Sequence, residues 1–168
     1  MKIDSHKAWR ETQPPKKILA IRLHALGDTI AAISALQSLK DQLPKDTIID
    51  LITKEEFSNI PENVNTFNKV YLSKGATYKK QGLSLVPTLL KLFYKRYDVV
   101  LDLQNNKLSN FIRKLLRPKC YVEFDRFSPK HACIRTIETL NKAGIAKVNS
   151  SFHFNLKDKV LGKNILKE

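Results

Sequence analysis

The feature that most constrains the fold is a nearly continuous apolar run, Lys17–Leu23, followed by a tight turn and then an amphipathic segment. An apolar run of strand length that does not alternate with polar residues indicates a strand buried on both faces of a sheet. Residues 29–43 carry apolar side chains at helical spacing. We expect Asp28 or Thr29 to cap this helix and Pro44 to mark its end.

The same alternation of strand and helix continues along the chain. Apolar runs predict strands at 47–53, 69–72, 98–103 and 120–124, and helical spacing predicts helices at 81–94, 108–116 and 132–143. Strands that alternate with helices of about ten residues imply right-handed crossovers and a mostly parallel sheet with helices on both faces. The predicted fold class is therefore α/β, a Rossmann-like layer domain.

Length and composition indicate one globular domain. The chain has 168 residues, of which 42% are hydrophobic and 27% charged. We predict a flexible leader at 1–15, the Rossmann-like domain at 16–148, and a linker at 149–168 toward an absent domain. Two cysteines without metal-ligand spacing, a polar N-terminus and no long apolar stretch favour a cytoplasmic location.

The positive charge is concentrated in the middle of the chain. Of the net charge of +14, +11 falls between Lys69 and Arg135, with fifteen Lys and Arg against four Asp and Glu. Such a region attracts phosphate groups of nucleic acid, anionic lipid or a phosphorylated sugar, and a solvated lysine-rich surface is the alternative. The aromatic residues are scattered, so nothing besides charge favours a nucleic-acid-binding module.

In parallel sheets of this class, ligands bind beyond the carboxyl ends of the strands. Candidate site residues therefore lie at 24–28, 104–107 and 125–131. The single Gly27 does not form a dinucleotide fingerprint, and we expect neither a cofactor nor a metal. Asp28 would place a carboxylate at a helix N-terminus, which stabilises negative charge. A helix cap is the structural alternative for Asp28.

Three segments resemble one enzyme family. Residues 18–30, Ile-Leu-Ala-Ile-Arg-Leu-His-Ala-Leu-Gly-Asp-Thr-Ile, resemble the opening of the family 9 glycosyltransferases, the ADP-heptose:lipopolysaccharide heptosyltransferases. Residues 97–104, Tyr-Asp-Val-Val-Leu-Asp-Leu-Gln, are similar to that family's Tyr-Asp-x-Val-Ile-Asp-x-Gln strand. Residues 124–126, Phe-Asp-Arg, stand where the family usually carries Gly-Phe-Asp. Ile134 departs from the pattern, since a Glu is common there.

The resemblance covers residues 17–144 and implies the N-terminal, acceptor-binding half of a GT-B glycosyltransferase. It implies an inverting transfer from a nucleotide sugar such as ADP-heptose to a lipid-linked saccharide acceptor of lipopolysaccharide core biosynthesis. Asp28 matches the catalytic base. The donor would bind only through the absent C-terminal domain, so this chain alone is expected to be inactive. A non-catalytic remnant, or a subunit of a split transferase, is the alternative.

Several residues are candidates for binding the acceptor. Gln104 follows the predicted strand at 98–103 and is placed to hydrogen-bond a sugar. Asp102, within that strand, is expected to have a structural role. A basic cluster would hold phosphate or carboxylate groups by charge-assisted hydrogen bonds, with solvated or helix-capping roles as the alternative. The predicted acceptor-binding set is His24, Gly27, Gln104, Arg126, Lys130, His131 and Arg135.

Two basic amphipathic segments favour contact with a membrane surface. Residues 83–96 combine Leu, Val and Phe with Lys91, Lys95 and Arg96, and residues 108–117 carry three further basic side chains. A basic amphipathic helix binds anionic lipid at the inner face of the cytoplasmic membrane, where lipid-linked acceptors are found. Core packing of the apolar faces, with the lysines in water, is the alternative.

Overall fold

The computed structural model describes residues 6–75, 78–149, 153 and 155–157 and has a single six-stranded sheet among them. The sheet order is β1-β6-β5-β2-β3-β4, and all neighbours are parallel except the antiparallel pair β1 and β6. The strands are β1 His6–Lys7, β2 Lys17–Ile21, β3 Ile48–Lys54, β4 Lys69–Ser73, β5 Val99–Asp102 and β6 Cys120–Glu123. The predicted α/β class with a mostly parallel sheet is confirmed.

The described part of the chain contains five helices, of which four connect successive strands and the last follows β6. They are α1 Leu26–Lys40, α2 Asn59–Glu62, α3 Tyr78–Lys95, α4 Lys107–Leu116 and α5 Ala132–Lys142, with a 3-10 turn at Glu55–Phe57. The chain moves outward from β2 through β3 to β4, then returns to the other side of β2 to form β5 and β6. The strand order thus reverses between β2 and β5, and in such sheets the crevice at this switch point is where ligands bind.

Strand β2 is buried on both faces, as its apolar run predicts. Ile18 and Ala20 pack in one core with α1 and α5, whereas Leu19 and Ile21 pack in a second core with α3 and α4. Because successive side chains of a strand point to opposite faces, a central strand covered by helices on both sides needs an unbroken apolar run.

Helix α1 starts three residues earlier than predicted. It begins at Leu26, and its N-cap is Ala25, so neither Asp28 nor Thr29 is the cap. The prediction is wrong because Ala25 has φ 62°, a positive value that is uncommon for residues other than glycine and has no signal in the sequence. Asp28 therefore lies inside the first turn of α1.

The predicted leader includes ordered contacts that the sequence pattern did not indicate. His6 and Lys7 pair with Val122 and Tyr121 at the edge of the sheet. Trp9 donates its backbone N–H to the carbonyl of Ala143 at 2.8 Å. The two-residue strand is too short to show an apolar pattern. The assignment of residues 6–15 to a flexible leader is therefore corrected, and residues 1–5 lie outside the described residues.

Part of the predicted linker also packs on the domain. The backbone N–H of His153 donates to Ser34 Oγ of α1 at 3.0 Å. Leu156 forms an isolated antiparallel bridge with Val64. The first of these contacts is made with α1, most of which is buried. Most of residues 150–168 lie outside the described residues.

The two basic amphipathic segments, which form α3 and α4, are neither packed entirely in the core nor entirely free to contact a membrane. In α3, Leu85 and Leu92 enter the core, but a second set of large apolar side chains is exposed. Lys95 forms an ion pair with the buried Asp50 and is therefore not available to lipid, contrary to the prediction. Arg113 of α4 is likewise buried and pairs with Glu123. The apolar face of α3 is thus only partly a core face.

Candidate active site

A buried arginine holds the Asp28 carboxylate at the switch point of the sheet. Arg22 directly follows β2 and is 4% exposed. Its Nη1 donates to the carbonyl of Leu103 after β5, and its Nη2 donates to Asp28 Oδ2. The Asp28 side chain is 35% exposed, so it is held by Arg22 on one side and open to solvent on the other.

Arg22 also stacks on an aromatic ring. Its guanidinium carbon lies 5.0 Å from the centroid of Phe124, and that of Arg135 lies 4.8 Å from the same ring. Burial lowers the pKa of Arg22, and the negative charge of Asp28 opposes this effect. The sequence reasoning assigned no role to Arg22. The sequence does contain a sign of this role, because Arg22 stands at the end of a strand that is buried on both faces and six residues before Asp28.

Gln104 fixes the turn between β2 and α1. Its Oε1 accepts the backbone N–H groups of Leu23 and His24 at 2.9 Å and 3.0 Å. The predicted acceptor-binding residue therefore uses its carbonyl oxygen to join the loop after β5 to the turn that carries Asp28. Whether Gln104 also binds a sugar stays a prediction, and the hydrogen-bonding group available for it is the amide nitrogen.

Asp102 organises the loop after β5. It is fully buried and accepts hydrogen bonds from the backbone N–H groups of Gln104 and Asn105, at 3.1 Å and 2.7 Å, and from Ser109 Oγ at 2.8 Å. Burial raises the pKa of Asp102, and these three hydrogen bonds oppose that effect. With its carboxylate surrounded by the protein, Asp102 has the structural role that was expected.

Gly27 and His24 line the open end of the sheet. A Cβ added at Gly27 would meet nothing within 4 Å, so the protein's own packing does not require a glycine there. His24 is half-buried. Its pKa is lowered by burial and then by the positive charges of Lys54 and Arg22. The neutral imidazole is therefore favoured at neutral pH.

The structure divides the predicted basic cluster into two parts. Arg126 Nη1 donates to the carbonyl of Asn105 at 3.2 Å, and Arg135 Nη1 donates to the carbonyls of Asp125 and Arg126, both at 3.2 Å. These two arginines lie beside Phe124 and the Arg22 site.

The remaining two members have other contacts, at the start of α5. Lys130 forms an ion pair with Glu138, and His131 is the N-cap of the helix, with its ring accepting the N–H of Cys133 at 3.4 Å. A role of either residue in acceptor binding stays a prediction.

A cleft that the sequence did not predict lies beyond the carboxyl ends of β3 and β4. Its volume is about 260 Å³. The lining residues are Lys54, Glu55, Glu56, Ser73 and Gly75. Lys54, the last residue of β3, forms an ion pair with Glu56. Because β3 runs parallel to β2, the cleft lies at the same end of the sheet as the turn after β2.

The described residues hold no group of three or more His, Cys, Asp or Glu side chains arranged to bind a metal ion. Within the same part of the chain, no helix has both the length and the apolar composition that a bilayer crossing requires.

The fold matches solved glycosyltransferase structures. No protein-family model and no curated protein matches the sequence. A family 9 glycosyl transferase from Veillonella parvula superimposes with a TM-score of 0.72 at 18% identity, over 88% of this chain and 47% of that one. This chain has the fold of half a family 9 glycosyltransferase.

Two Escherichia coli enzymes extend this likeness. ADP-heptose lipopolysaccharide heptosyltransferase II matches with a TM-score of 0.63 at 18% identity, over 89% of this chain and 49% of that one. Heptosyltransferase WaaC, solved with ADP, matches with a TM-score of 0.56 at 17% identity, over 80% and 49%. The chain thus spans about half the length of each solved chain. The heptosyltransferase-like, Rossmann-like fold is shown, and at these identities the likeness extends to the fold alone.

Proposed function

We propose that this chain binds the saccharide acceptor in an inverting transfer from a nucleotide sugar such as ADP-heptose, in the biosynthesis of the lipopolysaccharide core. The observation that carries the proposal is the Asp28 carboxylate. It lies at the switch point of a parallel sheet, is fixed by the buried Arg22, and is 35% exposed toward solvent. A fixed, accessible carboxylate at this position can serve as a general base.

In the proposed reaction, an acceptor hydroxyl oxygen attacks the anomeric carbon of the donor sugar. The new carbon–oxygen bond forms as the bond to the nucleoside diphosphate breaks, and the hydroxyl proton passes to Asp28. The proton transfer occurs as the hydroxyl becomes acidic during bond formation. Because Arg22 holds Asp28 in one orientation, less conformational freedom has to be lost when the acceptor binds.

Two further features support acceptor binding at this crevice. The open space above Gly27 allows a ligand to approach the backbone at the first turn of α1. Arg126 and Arg135 lie at the edge of the site and are partly occupied by backbone carbonyls. Their remaining N–H groups suit the phosphates or carboxylates of an anionic inner-core saccharide.

In this proposal the donor nucleotide binds outside the present 168 residues. The chain spans about half of the solved enzymes that it resembles, and one WaaC structure contains ADP-2-deoxy-2-fluoro heptose. We expect the purified chain to bind an inner-core oligosaccharide in calorimetry but to show no transfer from ADP-heptose. Transfer by the purified chain alone would contradict this division of roles.

The role of Asp28 is tested in a protein that combines this chain with a donor-binding domain. Asp28→Asn is expected to lower turnover by roughly 10²-fold or more, because general base catalysis is lost. Asn can still accept from Arg22, so the melting temperature should change little. The matched control is Asp46→Asn, the same substitution at an exposed position just before β3. Asp46 lies at the amino ends of the parallel strands, and Asp28 lies beyond their carboxyl ends. Equal turnover of both variants would restrict Asp28 to a structural role.

A further inference from the structure

Helix α3 exposes a row of large apolar side chains on the outside of the domain. Leu83, Val86, Leu90 and Phe93 follow one another at steps of three or four residues, which places them on one face of a helix, and Tyr94 borders the same face. They are 71%, 51%, 62%, 50% and 80% exposed, in chain order. We call these five residues the α3 stripe.

The α3 stripe is not needed for the core of the domain. Leu85 and Leu92, on another face of α3, are fully buried and anchor the helix on the sheet. Single exposed apolar residues are common on protein surfaces, but a continuous row of five on one helix marks an interaction surface.

The charges around the stripe select the partner. From Lys74 to Tyr97 the sequence contains six Lys and Arg and no Asp or Glu, and α4, which packs beside α3, also has no acidic residue. The exposed basic residues closest to the middle and the C-terminal end of the stripe, in or directly after α3 and α4, are Lys91, Arg96, Lys107, Lys114 and Arg117. A surface that combines apolar side chains with only positive charge complements an anionic lipid headgroup layer.

We propose that α3 is a membrane-docking helix, which inserts the α3 stripe between the headgroups of an anionic bilayer while the flanking Lys and Arg contact lipid phosphates. The aromatic pair Phe93 and Tyr94, whose rings lie 5.9 Å apart edge to face, stands at the C-terminal end of the stripe. Tyr side chains are enriched at the headgroup level of bilayers, and Phe side chains are common on the apolar face of helices that lie in the interface. The proposal does not depend on the transfer reaction, since its site and its test are separate from Asp28.

The first test measures co-sedimentation of the purified chain with vesicles. Vesicles of phosphatidylcholine and phosphatidylglycerol at a ratio of about 3:1 should bind the chain at low salt, and vesicles of phosphatidylcholine alone should bind it at least about tenfold more weakly. Raising the salt concentration from about 0.1 M to 1 M shortens the Debye length from about 10 Å to 3 Å and should weaken binding. Equal binding to both vesicle types, or no binding to the anionic vesicles, would overturn the proposal.

The second test separates the apolar and the charged contributions. Leu90→Ser combined with Tyr94→Ser should weaken binding to anionic vesicles by about tenfold or more, because two exposed apolar side chains no longer insert. The matched control is Ile134→Ser on α5, which is 49% exposed on the opposite face of the sheet. Lys91→Gln with Lys114→Gln should also weaken binding, whereas Lys142→Gln with Lys147→Gln should not.

Direct contact is tested with Tyr94→Trp, which exchanges one exposed aromatic residue for another. Anionic vesicles should shift the emission of this tryptophan to shorter wavelength, and brominated lipids should quench it, whereas Trp9 in the unaltered chain should respond to neither. Unchanged emission would overturn the proposal.

Two other results would point to a different partner. If the chain did not bind vesicles but formed a concentration-dependent dimer that Leu90→Ser disrupts, the α3 stripe would contact a second copy, and the proposal would be overturned. The proposal would likewise be overturned by salt-sensitive binding to single-stranded RNA that the Lys91→Gln and Lys114→Gln substitutions abolish and the Leu90→Ser and Tyr94→Ser substitutions do not.

Discussion

Gln104 holds the backbone of Leu23 in place: its Oε1 lies 2.9 Å from that backbone nitrogen and also accepts the N–H of the next residue. One side chain after β5 thereby satisfies two donors of the turn after β2. This turn leads into α1 and carries Asp28 in its first helical turn. The position of the candidate base therefore depends on a residue 76 positions later in the chain.

Gln104→Ala should destabilise the protein by about 1–2 kcal/mol, because two partly buried N–H groups lose their acceptor and water can replace it only in part. Gln104→Glu should retain most of the stability, since a carboxylate oxygen accepts the same two bonds. Urea unfolding of the three proteins measures both effects. If the alanine and glutamate variants were equally stable, the two hydrogen bonds would not be what holds the turn.

Arg22→Lys should lower the free energy of unfolding by about 2–3 kcal/mol although the charge is kept. Lysine cannot donate to the Leu103 carbonyl and to Asp28 in one planar arrangement, and it loses the stacking on Phe124. A double-mutant cycle with Asp28→Asn should give a coupling energy above about 0.5 kcal/mol. Additive effects would show that the two residues act independently.

Gly27→Ala should leave the free energy of unfolding unchanged or raise it by up to about 1 kcal/mol, because the added methyl group meets open space and alanine favours the helix. It should nevertheless weaken acceptor binding, since the methyl group occupies the proposed approach path. Gly144→Ala is the contrasting variant. Its φ of 68° disfavours alanine, so that variant should be destabilised by about 1 kcal/mol and bind the acceptor normally. Unweakened acceptor binding by Gly27→Ala would contradict the proposed position of the ligand.

His24 should make stability depend on pH. Its pKa in the folded protein is lowered, first by burial and then by Lys54 and Arg22, so below the unfolded pKa of about 6.5 the unfolded chain binds the proton more readily. This contribution to stability is fully present above about pH 6.5 and is lost as the pH falls toward the folded pKa. Urea unfolding between pH 7.5 and 5.5 should show a smaller decline for His24→Gln than for the unaltered chain. An identical decline would assign the pH dependence to other groups.

The sequence predicts the layers of the fold well because burial on both faces requires unbroken apolar runs such as Val99–Leu101. It does not predict where α1 starts, since the positive φ of Ala25 follows from the packed turn and not from a residue preference. The strand at His6–Lys7 is also missed, because two residues cannot show a periodic pattern.

The candidate site is predicted in outline and not in its contacts. The sequence identifies Asp28, Gln104, Arg126 and Arg135 as candidates, and the segments that carry them all follow the carboxyl ends of parallel strands. The pairing of Arg22 with Asp28 and of Lys95 with Asp50 depends on how α1 and α3 are placed against the strands. Such partners are not encoded in the spacing of either residue along the chain.

The two outer edges of the sheet differ in how readily they can recruit another chain. On one side the outer strand is β1, which pairs with β6. Because β1 has two residues in the described part of the chain, it offers few backbone N–H and C=O groups to an added strand. On the other side, β4 is five residues long and ends the order of the sheet. We therefore expect intermolecular strand addition, and the aggregation that follows from it when the protein is concentrated or heated, at the β4 edge of the sheet.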